Sequence, residues 1–403
     1  MGNQPYQFQI VRSTPEFSEL RSEWDTLLAQ SSERSFYLSY DWFHAVLCLS
    51  GLPAGELYLT LVRRQGQLLG IIPCRIVSRR FRVFTLRSLE LIGNIYSPFR
   101  GCLLARGEES MIAEAWAEFV LRQRRDDWEV MLWEGVSLGD PVVRALMSVS
   151  PVQPLLSSDF ATVVTDLSQF STAEGFYRAL SKNVRQTIRT QITRMNREGC
   201  FQVVLTQGEA LEPLLAMKHY KEIYCHSWKE PEPDLEFHTR LAAYLAPRGM
   251  LRLFILYFAS DLKGVKPYIA SYNSPIRGGD PPEGWIPLAA CLFVLHDNQA
   301  YFLKTAYREE FARLGAGTVV FWFATKHLLE QDRVERIDHQ KGGETYKLRW
   351  AGHVHETRRR LRLANPLFPR SLAEMWIERG LVAPYRRLRS TLRALQNRPS
   401  DSA

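Results

Sequence analysis

Two rhythms of apolar residues alternate along this chain. From Glu16 to Gln30, the residues Phe17, Leu20, Trp24, Leu27 and Leu28 recur at helical spacing and predict an amphipathic helix. Ser39 is placed to cap a second helix whose Trp42, Phe43, Val46 and Leu47 face inward. The runs Leu57 to Val62 and Gln67 to Ile76 read as strands around Arg63-Arg64-Gln65-Gly66, a hairpin signal. Phe81 to Ile92 is strand-like, and Gly93 to Leu104 is a connection. A helix from about Ser110 to Arg124 then precedes the short apolar strand Trp128 to Trp133.

The second half repeats that order. A helix from Thr172 to Arg197 carries Phe176, Leu180, Val184, Ile188, Ile192 and Met195 on one face. Strand-like runs follow at Leu251 to Phe258, Trp285 to Leu295 and Ala300 to Tyr307, then a helix from Thr318 to Gln331 and a strand from Val334 to Asp338. The halves share an order of elements without close residue identity, so the repeat is one of architecture. The expected fold is α/β (mixed α+β), with two tandem domains at residues 1–155 and 156–355, each a mixed twisted sheet flanked by helices. Residues 356–403 are expected as a basic helical tail. The Gly/Pro-rich stretch 259–284 is expected as a surface loop, either a plain excursion or a lid.

Composition narrows the class. A chain of 403 residues, 46% hydrophobic and 23% charged, has the balance of a soluble globular protein. It has no apolar run of about 18 residues, and its N-terminus lacks a secretory pattern, so a cytoplasmic location is expected. The six cysteines are scattered without a C-x-x-C pair, and neither His219/His226 nor His353/His355 has metal-ligand spacing, so no metal is expected. No G-x-S-x-G elbow is present, which disfavours a hydrolase. Of the net charge of +8, nearly all lies beyond His353, where eleven arginines face four acidic residues. The body is therefore near neutral, and nucleic acid is not an expected partner. Within that tail Tyr385, Leu388, Leu392 and Leu395 form an apolar stripe flanked by Arg386, Arg387, Arg389 and Arg393. Such a helix either lies on an anionic membrane surface or docks on its own domain.

Candidate chemistry concentrates between Gln299 and Trp350, which reads as strand, glycine-bearing turn, helix, strand. Gly315 and Gly317 leave backbone N–H groups bare at a helix start, a place for a diphosphate or simply an ordinary turn. Arg313, Ala316 and Thr318 complete that candidate site. Lys182, Arg185 and Arg189, at i, i+3 and i+7, make a stripe that is either a solvated face or a seat for an anionic substrate. Asp338, Glu344, Tyr346 and Lys347 surround the Gly342-Gly343 turn and supply acid and base groups, or structural hydrogen bonds. Trp228 offers a ring for a sugar or acyl chain, or a core contact.

Asp338, Gly343, the Tyr346-Lys347 pair and Trp350 resemble the acceptor half of the GNAT acyltransferase superfamily, in the CelD-like branch associated with bacterial polysaccharide biosynthesis. The stretch SKNVRQTIRTQITRMNREGC from Ser181 to Cys200 resembles that branch's basic helix, and FYLSYDWFHAVL from Phe36 to Leu47 its N-terminal signature. One departure is visible: the usual pyrophosphate motif has Gln or Arg three residues before its first glycine, where this chain has Ala312, with Arg313 one residue off. The resemblance implies two GNAT-like domains, the first degenerate. It also implies acyl-CoA as co-substrate and an amine acceptor on a sugar, lipid-linked saccharide or similar metabolite. Fem-type transferases that use aminoacyl-tRNA, and a non-catalytic scaffold, are the alternative readings.

Overall fold

The computed structural model describes residues 6–51, 53, 55–208, 211–260, 276–278, 283–342, 345–350 and 352–382. The surface loop expected at 259–284 falls largely outside them, as do Glu344 and the stripe at 385–395. The chain forms two compact units: Met1–Val46, Gly51–Asp159 and Arg358–Ala403 make unit 1, and Leu47–Ser50 with Phe160–Thr357 make unit 2.

In chain order the elements of the first half are β1 (Gln7–Val11), α1 (Thr14–Ser18), α2 (Arg21–Gln30), α3 (Tyr40–His44), β2 (Leu57–Arg64) and β3 (Gln67–Arg80). They continue as β4 (Thr85–Leu91), β5 (Leu103–Leu104), α4 (Glu109–Glu118), β6 (Val130–Val136), α5 (Pro141–Val149) and β7 (Leu155–Asp166). Next come α6 (Ala173–Ala179), α7 (Lys182–Glu198), β8 (Cys200–Thr206), α8 (Leu211–Cys225), α9 (Leu235–Leu245), β9 (Leu251–Ala259) and β10 (Arg277–Gly278). The chain closes with β11 (Ile286–His296), β12 (Gln299–Tyr307), α10 (Ala316–Glu330), β13 (Arg336–Lys341), α11 (Thr345–Arg349), β14 (His353–Ala364) and α12 (Pro369–Ile377).

Unit 1 is built on the strand order β1-β2-β3-β4-β6-β14, with β5 against β3. Its last strand comes from the far end of the chain, Arg359 to Ala364 running antiparallel to Val136 to Val130. The segment expected as a helical tail thus opens as a strand, and its helix begins at Pro369. The reason is alternation: Leu361 and Leu363 are buried while Arg360 and Arg362 take the other face. The described arginines of that segment are absorbed by unit 1, with Arg360 on Glu134 at 3.0 Å, Arg362 on Glu378 at 3.2 Å and Arg370 on Glu129 at 2.5 Å.

Unit 2 has the order β7-β13-β12-β11-β9-β8-β10 with helices on both faces. Phe201, Leu256, Phe293 and Phe302 pack under α6, α7 and α10 on one face. Leu253, Ile255 and Leu292 pack under α8 and α9 on the other. The central helix is α10, in which Val319 to Thr325 are all buried, and its Trp322 meets Tyr177 at 5.3 Å. Burying each such side chain contributes roughly 1.5–3 kcal/mol, which outweighs the weak helix propensity of its Thr-Val-Val start. The single helix expected from Thr172 to Arg197 is two, α6 and α7, because Ser181 leaves the helical conformation and its hydroxyl accepts the Val184 N–H as a cap. Gly199 ends α7 against β9, where a Cβ would lie 2.2 Å from the Ala259 carbonyl oxygen.

Candidate functional site

The site follows from how briefly two strands of unit 2 stay together. β12 and β13 run parallel but pair only at Gln299–Arg336, Ala300–Ile337 and Tyr301–Asp338. Each becomes irregular just beyond the last pair. β12 shifts register against β11 between Leu292 and Phe293, and β13 shifts against β7 between Asp338 and Lys341. Gln340 takes a left-handed conformation with φ of 62°, and its N–H donates to Asp338 Oδ1 at 2.6 Å, which ties the β13 bulge together. A gap opens between the C-terminal halves of the two strands.

Two lysines enter this region. Lys229, in the loop after α8, donates its ammonium to the Thr305 carbonyl of β12. Lys347, buried on α11, donates to the Lys341 carbonyl at the end of β13. Desolvation lowers the pKa of Lys229, and the charges of Lys304 and Lys347 lower it further against the pull of Glu232. Lys304 is itself paired with Glu232, whose carboxylate also stands 3.4 Å from His238. Burial, and then the charge of Lys304, hold His238 well below the usual histidine range, so it stays neutral at physiological pH. Burial and Glu232 push Tyr224 up to about 12.

His339 lies on the other face of β13 from Asp338, stacked on Phe321 at 5.7 Å. Its Nε2 is 2.8 Å from the Thr165 hydroxyl, which donates its proton to the Trp350 carbonyl at 3.1 Å. The hydroxyl can then only accept from the ring, so Nε2 carries the hydrogen and Nδ1 is left with a buried lone pair and no hydrogen-bond partner. Burial and the nearby Lys347 lower His339 to about 3.

Other residues singled out in the sequence are placed as follows. Tyr346 and Trp228, each next to one of the two lysines, are 42% and 62% exposed, so Trp228 is no core residue. Gly315 caps α10 in a left-handed conformation with φ of 67°, and a Cβ there would sit 2.2 Å from the Gln191 side chain of α7. Gly317 faces the Tyr307 ring, Ala316 is buried, and the Thr318 N–H bonds the Gly315 carbonyl at 3.0 Å. No side chain caps this helix start, so its first N–H groups suit an anion. The Arg313 side chain turns to Glu198 at 2.7 Å. On α7, Lys182 is exposed, Arg185 reaches the Arg178 carbonyl at 3.4 Å and Arg189 lies over the Tyr177 ring at 5.6 Å. Two of the three stripe residues therefore lean on α6. Among the described residues no group of acidic, cysteine and histidine side chains could hold a metal ion, and no helix is long and apolar enough to cross a membrane.

Residues 182–266 and 283–348 match the sequence model of the acetyltransferase (GNAT) domain. Unit 2 is a GNAT domain. The matched stretches run from the start of α7 through the gap to α11, and they support an acyltransferase activity. No curated protein matches the sequence. Among solved structures the chain is similar to FemX, with a TM-score of 0.58 and 12% identity over 91% of this chain and 100% of that one. It is also similar to a conserved protein of unknown function from Bacteroides thetaiotaomicron VPI-5482, with a TM-score of 0.51 and 11% identity over 88% of this chain and 99% of that one. At such identities the likeness is one of fold.

Sequence reasoning missed Lys229 and His339. Nothing local marks Lys229, whose position is set by a carbonyl far along the chain. His339 did carry a signal, because strand alternation puts it on the face of the apolar Ile337.

Proposed function

We propose that the chain is an N-acyltransferase that moves an acyl group from acyl-CoA to an amine, with the β12/β13 gap as the place of transfer. The observation that carries this reading is the Lys229 ammonium, held on the open edge of β12 inside a GNAT gap. In the reaction the amine nitrogen attacks the thioester carbonyl and forms the C–N bond. The oxyanion then collapses, the C–S bond breaks, the nitrogen gives up a proton and the thiolate takes one. Lys229 supplies the charge opposite the oxyanion, and the dryness that lowers its pKa strengthens its field there. Asp338 serves as base, Tyr346 as acid to the leaving thiolate, and Lys347 adds positive potential. The diphosphate of the donor rests on the first turn of α10, from Gly315 to Thr318. The acceptor is an amino sugar or lipid-linked saccharide amine, which the exposed Trp228 ring would stack, with Lys182, Arg185 and Arg189 facing its anionic parts.

Thiol release from acetyl-CoA with an amino-sugar acceptor tests this reading, together with calorimetric binding of CoA. Asp338→Asn and Tyr346→Phe should each lower kcat by about 10²- to 10⁴-fold with CoA affinity nearly intact. Gly317→Asp should weaken CoA without unfolding the chain, and unchanged CoA affinity would remove the diphosphate assignment.

A second reading rests on Arg313, whose pairing with Glu198 turns a cation away from the α10 start. A donor carried on tRNA, as in Fem-type transferases, needs no diphosphate seat there. RNA retained on the purified protein, with no CoA binding, would select it. If neither donor binds, the scaffold reading stands. Peripheral contact of the segment beyond residue 382 with an anionic membrane is a separate proposal, checked by co-sedimentation with anionic vesicles at low salt.

A further inference from the structure

Unit 1 contains a cavity of about 290 Å³ with five arginines on its wall: Arg79, Arg80 and Arg82 at the β3–β4 turn, and Arg360 and Arg362 on β14. Three carboxylates share the wall, and each is already engaged. Glu134 pairs with Arg360 at 3.0 Å, and Glu378 with Arg362 at 3.2 Å. Glu374, buried on α12, accepts the backbone N–H groups of Arg82 and Val83 at 3.3 and 3.4 Å. Arg79 pairs with Glu90 at 2.7 Å. Arg80 and Arg82 are exposed and have no acidic partner among the described residues.

The turn that carries these two guanidinium groups is fixed. The Phe81 N–H bonds the Phe84 carbonyl at 2.9 Å, Glu374 grips the next two N–H groups, and the Phe81 ring lies against Arg362 at 5.4 Å. A fixed turn loses little freedom when it closes on a ligand. We propose that this cavity binds a phosphorylated anion, a diphosphate or sugar phosphate, held by the forks of Arg80 and Arg82. Two uncommitted guanidinium groups match a dianion, and the planar fork fits phosphate oxygens two at a time. The volume is near the lower end of small-ligand pockets, roughly 300 Å³, enough for a diphosphate or a phosphate with its sugar. The inference does not depend on the acyl-transfer reading.

The test is calorimetric titration of the full chain with inorganic pyrophosphate at low salt, repeated with an Arg80→Ala/Arg82→Ala double variant. Saturable binding that weakens at least about tenfold in the variant, at an unchanged melting temperature, supports the site. An Arg80→Gln/Arg82→Gln variant serves if the alanine protein melts early. Phosphatidylglycerol vesicles provide a second arm. If they sediment the wild type but not the variant, while pyrophosphate fails to bind, the phosphate belongs to a lipid headgroup. If the wild type binds neither probe, or if the variant binds as well as the wild type, the proposal is overturned.

Discussion

The two units solve the same geometric problem in opposite ways. In unit 1, β4 and β6 pair in parallel only at Ser88–Val130 and Leu89–Met131, so a gap like that between β12 and β13 should open beyond them. There the connection after β4 brings Arg100 to β6. Its N–H bonds the Gly135 carbonyl at 3.3 Å, and its guanidinium lies 3.7 Å from Glu134 and 3.2 Å from the Asn94 carbonyl. Burial lowers the pKa of this cation and Arg75 adds to that, while three carboxylates, Glu134, Glu90 and Asp159, oppose them. In unit 2 the balance is reversed, with Lys304 and Lys347 both adding positive charge around Lys229 and Glu232 opposing them. A neutralised gap is a structural joint, whereas an unbalanced one keeps potential available for a substrate that develops negative charge.

The comparison is tested most severely by Lys229→Met. It should lower kcat by about 10²- to 10³-fold, roughly 3–4 kcal/mol of barrier, while CoA binding measured by calorimetry hardly changes. Arg100→Met should leave kcat within about twofold, measured where the variant is fully folded. Equal losses of rate in the two variants would erase the distinction between the gaps.

Stability should rank the same two variants the other way. Arg100→Met leaves Glu134 with Arg360 alone and the Asn94 carbonyl without its guanidinium donor, and should cost about 1–2 kcal/mol in urea unfolding. Lys229→Met removes a charge that the fold disfavours and should be neutral or mildly stabilising. That benefit should shrink as pH rises toward 10.5, because the wild-type lysine then sheds its proton more readily folded than unfolded.

Mild acid should pull the units in opposite directions. His339 falls from 6.5 to about 3, so below pH 6.5 the unfolded chain takes a proton that the folded one refuses. Unit 2 should lose about 2 kcal/mol between pH 6.5 and 5 from this group. Asp140, whose carboxylate caps α5, is raised by burial from 3.8 to about 6, so in that window the folded chain holds the extra proton. Unit 1 should therefore gain about 1 kcal/mol as pH falls from 6 to 5. Hydrogen exchange of the α10 and α5 amides reads the two slopes separately, and His339→Phe should remove the first. The smallest effect is expected at the rim, where Trp228→Ala should raise the acceptor KM severalfold, about 1 kcal/mol, without touching kcat.

Much of the fold could be read from periodicity. The order strand, glycine turn, helix, strand was visible because α10 carries an unbroken apolar run from Val319 to Ala324 and β12 one from Ala300 to Leu303. The boundary inside Thr172 to Arg197 was not, since the apolar spacing continues across Ser181 and only the capping bond breaks the helix. The strand His353–Ala364 was obscured by its arginines, whose density suggested a tail although Leu361 and Leu363 already alternate with them. For the site, the Tyr346-Lys347 pair was singled out by its place after the glycine turn, whereas the burial of Lys347 was not foreseen. Lys229 was not legible, because its placement comes from a hydrogen bond to Thr305, 76 residues later.

The origin of β14 also constrains the timing of synthesis. Val130 to Val136 must wait for Arg359 to Ala364 before the β6 edge is paired. A ribosome will have delivered all of unit 2 by then, so unit 1 waits through the synthesis of unit 2 with an open strand edge and no partner in cis. Long-range pairing of this kind is slow, and open edges invite the wrong neighbour. A chain stopped at Asp159 should therefore aggregate, and restoring residues 358–382 as a separate peptide should reduce that aggregation in light scattering. Arrival of the last strand, and not of the first domain, should therefore set when unit 1 can close its sheet.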